Sequence, residues 1–319
     1  MRGVRVEAPA RLHLGMLAVA GAGAGAGDDA RRFGGLGVSV GRPAVVLEAE
    51  PADELSAEGA DAERALTFAR RCRDAMGLAG GAHLRVVEAI PPHVGLGSGT
   101  KLALAVAHAL ATLEGRDVDA PRLAEAAGRA ARSAVGMWTF AVGGLVVEGG
   151  HRRGVERPAP LLARHPMPED WRVVLAVPTA ASGLSGAAED HAFGRLMPAP
   201  ERSAVIAQLV LTALLPALVE GELEEFGTAL TRIQQLVGDS FAAAQGGRFH
   251  PRAGALVEAL LRFGAAGAGQ SSWGPTVYGV VGSEAAGREL ARRMEDRVGG
   301  EGSVELVAFD NRGARVERS

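Results

Sequence analysis

The stretch Pro91-Pro92-His93-Val94-Gly95-Leu96-Gly97-Ser98-Gly99-Thr100-Lys101 concentrates groups able to bind an anion. Residues 83–90 before it alternate like a strand. Residues 102–113 after it are apolar on every side, like a buried helix. A strand, a glycine loop and a helix N-terminus make an anion site. Gly95, Gly97 and Gly99 let backbone N–H groups approach a ligand, and the helix dipole adds partial positive charge. Ser98 and Thr100 add hydroxyl donors. The order Gly99-Thr100-Lys101 is not that of a Walker A loop, nor is the glycine spacing that of a dinucleotide fingerprint. Lys101 is the single lysine among 34 basic residues. A cation in the first helical turn is opposed by the macrodipole by about 0.3–1 kcal/mol, and a bound anion would reverse that sign. The competing reading is a tight turn feeding a buried helix, with Lys101 pointing into water.

The elements that must position this loop follow from periodicity. Residues 2–7 and 11–17 read as two strands broken by Pro9. Residues 21–27, GAGAGAG, are low in complexity and precede Asp28, Asp29, Arg31 and Arg32, as in an inserted loop or a lid. Strands are expected at 37–40 and 44–49, turning at Arg42-Pro43, and at 143–148; helices are expected at 61–76 and 122–132. Four prolines within 151–170 mark a boundary between domains at 1–160 and 161–319. Beyond it come a strand at 171–177, helices at 203–220, 222–237 and 251–263, a strand at 276–281, a helix at 285–298 and a strand at 304–309. That mixture suggests two α+β or α/β domains.

A net charge of -3 gives no basic footprint, so nucleic acid is not an expected partner. No long uncharged apolar window stands out, so no membrane span is expected, and the N-terminus lacks the apolar core of a signal peptide. One cysteine, Cys72, excludes an internal disulfide and fits a reducing, cytoplasmic setting. Its neighbours Arg70, Arg71 and Arg73 would lower its pKa; the plainer reading is an ordinary helix thiol.

The loop PPHVGLGSGT resembles the phosphate-binding motif of the GHMP kinases, the group of galactokinase, homoserine kinase and mevalonate kinase. Further stretches resemble a non-kinase branch, the beta-ribofuranosylaminobenzene 5'-phosphate synthases and relatives that make C-nucleosides. They are Ala10–Gly15, Arg32–Gly37, Gly128-Arg129 through Arg132-Ser133-Ala134-Val135-Gly136, Gly143–His151, Gly183–Gly186, Gln245–Arg248 and GQSSWGPT at Gly269–Thr276. The resemblance spans most of the chain and implies an α+β, GHMP-type two-domain fold. Its N-terminal domain would be ribosomal-protein-S5-like and its C-terminal domain ferredoxin-like. It also implies a reaction joining 5-phosphoribosyl 1-diphosphate (PRPP) to an aromatic carboxylic acid, 4-aminobenzoate or a pyrazole dicarboxylate, with loss of carbon dioxide and diphosphate. Mg²⁺ held mainly by the diphosphate, and a homodimer, are implied with it. The chain departs from the family in reading Met16-Leu17-Ala18 where an acidic residue is usual, and Lys101 where Gln is frequent. An ATP-dependent GHMP small-molecule kinase is the alternative, and a non-catalytic ligand-binding protein the third reading.

A polyanionic donor needs converging cations. Arg11, Arg32, Lys101, Arg129, Arg132 and Arg248 all lie in motif segments beside small residues. Lys101, Arg132 and His13 are the candidate catalytic groups; His13 shares a strand face with Arg11 and Gly15. Ser133, Gln270, Ser271 and Ser272 are candidate polar contacts. Trp273 either stacks on an aromatic acceptor or packs between domains. The metal ligands are left open. Trp138 and Phe140 are expected in the core.

Overall fold

Val4, Val6, Ala8, Ala10, Leu12 and Leu14 alternate along the first strand and all are buried, which fixes which face of that strand meets the core. The computed structural model describes residues 3–18, 31–152, 154–155, 157–179, 191 and 199–318. The GAGAGAG tract and the Gly183–Gly186 motif lie outside them. Strand β1 (Val4–Ala18) pairs antiparallel with β2 (Phe33–Ala52). Neither strand breaks at its proline as the sequence suggested. The β1–β2 register shifts between Pro9 and Arg11, where β2 carries the extra residues: residues 40–43, with Arg42-Pro43, fall between Ser39 and Ala44 opposite Ala10 alone. A second shift, between His13 and Gly15, puts one extra residue on β1.

Strands β3 (Ser56–Gly59), β4 (Gly81–Glu88), β5 (Leu145–Glu148), β6 (Leu161–His165) and β11 (Arg315–Arg318) complete a seven-stranded sheet. Its helices are α1 (Ala62–Met76), α2 (Ser98–Leu113), α3 (Ala120–Ala126) and α4 (Val135–Val142). The helix expected over 122–132 is cut short. α3 ends at Ala126, and Gly128 and Ala130 take positive φ, 64° and 62°, so residues 128–133 form a loop. α4 was not foreseen, because an all-apolar run without polar punctuation carries no period to read.

The second sheet has the order β10-β7-β9-β8. Its strands are β7 (Arg172–Pro178), β8 (Gly267–Gln270), β9 (Val277–Val281) and β10 (Gly302–Ala308). Between β7 and β8 come α5 (Pro200–Glu220, with a π-helical turn at Val210–Leu214), α6 (Leu223–Gln245) and α7 (Gly254–Arg262). Helix α8 (Glu284–Val298) joins β9 to β10. That order and connection are the ferredoxin-like arrangement, so the α+β, two-domain expectation holds. The first sheet nevertheless extends past residue 160, since β6 pairs with β5. It also takes back the C-terminus: β11 pairs with β1, and Arg315 bridges Glu7 at 2.6 Å and Asp310 at 3.1 Å.

By length and composition α5 could cross a bilayer, a window the sequence reading passed over. It packs against β1 and α6 and leaves Leu211 and Val219 exposed. Cys72 is wholly buried, and desolvation pushes its thiol up to about 12. The arginine-activated reading of that cysteine is thereby overturned.

Candidate active site

The glycine loop and the GQSSWGPT segment are interlocked although about 180 residues separate them. Ser271 Oγ donates to the Gly95 carbonyl at 2.7 Å and Thr276 Oγ1 to the Val94 carbonyl at 2.6 Å. The His13 N–H donates to Ser271 Oγ at 3.0 Å, and the Ser272 N–H to the His13 carbonyl at 3.3 Å. Gly95 holds φ +91°, and a Cβ there would overlap the Ser271 carbonyl; one on Gly274 would overlap that of Val94. The motif thus serves as a clamp on the loop. Ser271 was a candidate polar contact, and Trp273 was expected either to stack on an acceptor or to pack between domains; both are enclosed by the protein. Ser271 is fully buried in the clamp, and Trp273, 3% exposed, packs on Phe241 with centroids 4.4 Å apart. Gln270 is held within the protein as well: it donates to the Ser272 carbonyl at 2.9 Å and accepts from the His250 N–H at 2.7 Å. Ser272, at φ 57°, is the motif residue turned to open space.

Helix α2 starts at Ser98 behind Gly97 (φ 83°), with no side-chain cap and no acidic residue in its first turn, so its positive end is available to an anion. Guanidinium groups gather there. Arg11 lies against Gly97 and donates to the Gly95 carbonyl at 2.5 Å. Arg64 and Arg129 lie beside Gly99, Arg129 also sitting 4.8 Å over the Phe68 ring. Arg64 was missed from sequence, since it sits on α1 in an unremarkable charged run and is paired with Asp61 at 2.7 Å.

A cleft of about 220 Å³, partly open to solvent, is lined by Arg11, His13, Thr100, Arg129, Arg132 and Ser133, with Met16 and Ser272 among its other walls. A second, much smaller cavity of about 20 Å³, room for about one water molecule, adjoins it. Val237, Phe241 and Phe249 give it an apolar side, and Gln245, Arg248 and Gln270 a polar one. His13 and Ser272 line both. His13 is buried, and desolvation together with the Arg11 charge takes its imidazole down to about 3, so it is neutral.

Three expected residues stand elsewhere. Arg32 forms a β-bridge with His151 and is absent from both cavity walls. Arg248 reaches the second cavity, but its guanidinium is already bonded to Asp239 at 2.7 Å. Lys101 faces neither cavity. It is 0% exposed, donating to Thr139 Oγ1 at 3.0 Å with the Phe140 ring 5.9 Å away. The helix turns its fourth residue inward, so neither the anion-contact nor the solvated reading of this lysine stands. Burial, then the Arg11 charge, lower its pKa well below the usual 10.5, against a smaller opposing pull from Asp310. Between that lowered value and 10.5 the unfolded chain binds the extra proton, so stability rises with pH through this window. Lys101→Met should flatten that slope, and Lys101→Ala should cost about 2–4 kcal/mol through the cavity it leaves. Urea denaturation across the pH range checks both; an unchanged slope in the Met variant contradicts the burial argument.

Among the described residues no cluster of three or more His, Cys, Asp or Glu could hold a metal, and the lining of the first cleft carries no carboxylate. Guanidinium, hydroxyl and helix N–H donors suit the oxygens of a polyanion. A Mg²⁺ in this cleft would therefore have to be held by the oxygens of its ligand.

The model of the GHMP kinases N terminal domain matches residues 63–143, and that of the GHMP kinases C terminal domain residues 214–299. A beta-ribofuranosylphenol 5'-phosphate synthase of Archaeoglobus fulgidus is 34% identical, covering 98% of this chain and 99% of its own. One of Methanothermobacter thermautotrophicus is 30% identical, covering 97% of each. Among solved structures, homoserine kinase from Cytophaga hutchinsonii superposes with TM-score 0.68 at 18% identity, over 99% of this chain and 98% of its own. Methanococcus jannaschii mevalonate kinase does so with TM-score 0.69 at 14%, over 96% and 98%. At those identities the two kinases share the fold.

Proposed function

Since the chain belongs to the beta-ribofuranosylphenol 5'-phosphate synthase family, within the GHMP group, we propose that it is a decarboxylating C-ribosyltransferase acting on PRPP and an aromatic carboxylic acid. The observation that carries this reading is the meeting of two unlike cavities at His13 and Ser272. One is lined by guanidiniums beside a helix N-terminus, as a phosphorylated sugar diphosphate needs. The other has aromatic and aliphatic walls of the kind an aryl ring packs against, and admits a ring only when its side chains move apart.

In this reading Arg11, Arg129, Arg132 and the first turn of α2, with Ser98 and Thr100, bind the phosphate oxygens of PRPP. They favour the charge that gathers on the leaving diphosphate. Bound Mg²⁺ would supply further neutralisation of that leaving group. The acceptor ring lies against Val237, Phe241 and Phe249. As the C1–O bond breaks, its electron pair leaves with diphosphate and C1 becomes oxocarbenium-like. The ring carbon bearing the carboxylate gives a π pair to C1. The bond from that carbon to the carboxylate then breaks, its pair restores aromaticity, and carbon dioxide departs. No proton leaves the attacking carbon, so the chemistry asks for no strong base, and a neutral His13 between the cavities adds no positive charge beside C1. The relatives are named for a phenol product, which adds 4-hydroxybenzoate to 4-aminobenzoate and the pyrazole dicarboxylates as acceptors to test.

Incubation with PRPP and each acid should give, by mass spectrometry, a ribosyl 5-phosphate adduct lacking one carboxylate. An adduct that retains every carboxylate would sink the decarboxylating step.

A further inference from the structure

Arg64, Phe68 and Arg71 recur at i, i+4 and i+7 on α1, so they share one face of that helix. That face seats the loop from residue 128 to 133, which lines the cleft. Phe68, buried, lies 4.8 Å from the Arg129 guanidinium, and a Cβ on Gly128 would meet the guanidinium of Arg71. Arg64 is placed by Asp61, the residue that opens α1. An aspartate at a helix N-cap ordinarily accepts a backbone N–H of the first turn. Asp61 makes no such bond, and its Oδ2 accepts instead from Arg64 Nη1 at 2.7 Å. One half of the guanidinium fork is thereby fixed. The other half, Nη2, has no hydrogen-bond partner among the described residues. It lies 2.9 Å from the position a Cβ on Gly99 would take, and Arg129 Nη2 lies 3.4 Å from the same point. Two guanidiniums from different elements thus flank one point on α2, where glycine puts no side chain between them.

We propose that Arg64 is a further substrate-binding residue, taking beside Arg129 the phosphate-monoester end of the donor, and that Asp61 is its positioning residue. This role depends on PRPP being the donor, as proposed above. In PRPP the diphosphate sits on C1, which must face the junction at His13 and Ser272. The 5-phosphate is the anion remote from C1. Arg64 stands at the outer end of the same cleft: it adjoins Arg129 but lines neither cavity, and its side chain is 32% exposed, whereas His13 is buried. Arg11 lies two residues from His13 on β1, and Arg132 precedes Ser133, whose Oγ is 3.2 Å from His13 Nε2. Those two are left for the diphosphate. A phosphate monoester has several charged oxygens and can accept from two forks that approach from different sides. A partly exposed contact also suits a group that enters with the donor and leaves, unreacted, in the product.

Calorimetric titration tests this without turnover, using the two anions apart: ribose 5-phosphate, which carries the monoester alone, and inorganic diphosphate with Mg²⁺. Arg64→Gln should weaken ribose 5-phosphate binding by about tenfold or more, the size of a lost charge-assisted bond, and leave diphosphate close to wild type. Arg132→Gln should do the reverse. Asp61→Ala should weaken ribose 5-phosphate alone. Asp61→Asn keeps an oxygen acceptor for Nη1 and tolerates the φ of 59°, so it should restore the affinity. A merely structural role for either residue would move both ligands together. Unchanged ribose 5-phosphate affinity in Arg64→Gln, or a loss that diphosphate shares in full, takes Arg64 out of the 5-phosphate site while the PRPP reading stands. Wild-type protein that binds neither anion removes the PRPP reading itself, and the role of Arg64 with it.

Discussion

Arg132→Lys should lower kcat/KM for PRPP by about 10²–10³-fold, corresponding to roughly 3–4 kcal/mol of lost transition-state stabilisation, while the melting temperature stays close to that of the wild type. Arg132 sits on the cleft wall in a loop between α3 and α4, half-buried, beside Ser133 and Arg129. Lysine keeps the charge but loses the planar fork that matches phosphate oxygens in pairs. The effect should therefore far exceed that of Arg248→Lys, whose guanidinium is half-exposed and paired with Asp239. Bonds to charge developing on a leaving diphosphate strengthen as the bond breaks, so kcat should fall more than KM rises. Steady-state kinetics of the two lysine variants settles the ranking; equal and small losses would remove Arg132 from the phosphate site.

Gly95→Ala should be the most damaging single substitution in the loop, costing on the order of 3–5 kcal/mol of stability together with activity. Two costs add. Alanine is strained at φ +91°, and the added methyl meets the Ser271 carbonyl, a backbone group that cannot swing aside. Relief would require parting the loop from Ser271–Gly274, which would also break the bonds from Ser271 and Thr276. Gly77→Ala is the control: its φ is 59°, but nothing lies within 4 Å of the added Cβ, so only the strain of about 1–2 kcal/mol remains. Chemical denaturation of both variants separates strain from collision, and equal losses would mean that the clamp contributes nothing.

The elements that sequence resolved were those with a clear period or strong punctuation. α1, α2, α8 and three strands of the second sheet, β7, β9 and β10, fell within a few residues of expectation, because apolar positions recur there and glycines close the ends. The loop from residue 128 to 133 read as helix because its alanines and arginines are good helix formers. The positive φ of Gly128 and Ala130 shows tertiary packing overriding that propensity. β3, β6, β8 and β11 were missed because pairing partners, rather than composition, make them strands.

The site divided along similar lines. Arg11, His13, Thr100, Arg129, Arg132, Ser133 and Ser272 do converge on one cleft. Lys101 drew attention by being unique, yet its neighbours in space, Thr139 and Phe140, belong to a helix the sequence did not reveal. Trp273 and Ser271 carry a distinctive motif whose purpose is to hold the glycine loop.

In the proposed reaction the carbon–carbon bond forms at the position the carboxylate vacates. Acceptor labelled in the carboxyl group, incubated with PRPP and Mg²⁺, tests it most directly when released label and diphosphate are counted in the same reaction. The expected result is equal amounts of labelled carbon dioxide and diphosphate, with no stimulation by ATP. Label kept in a product bearing a new carbon–nitrogen or carbon–oxygen bond would make the protein an ordinary ribosyltransferase. ADP accumulating while PRPP remains untouched would make it a kinase, and either outcome contradicts the mechanism.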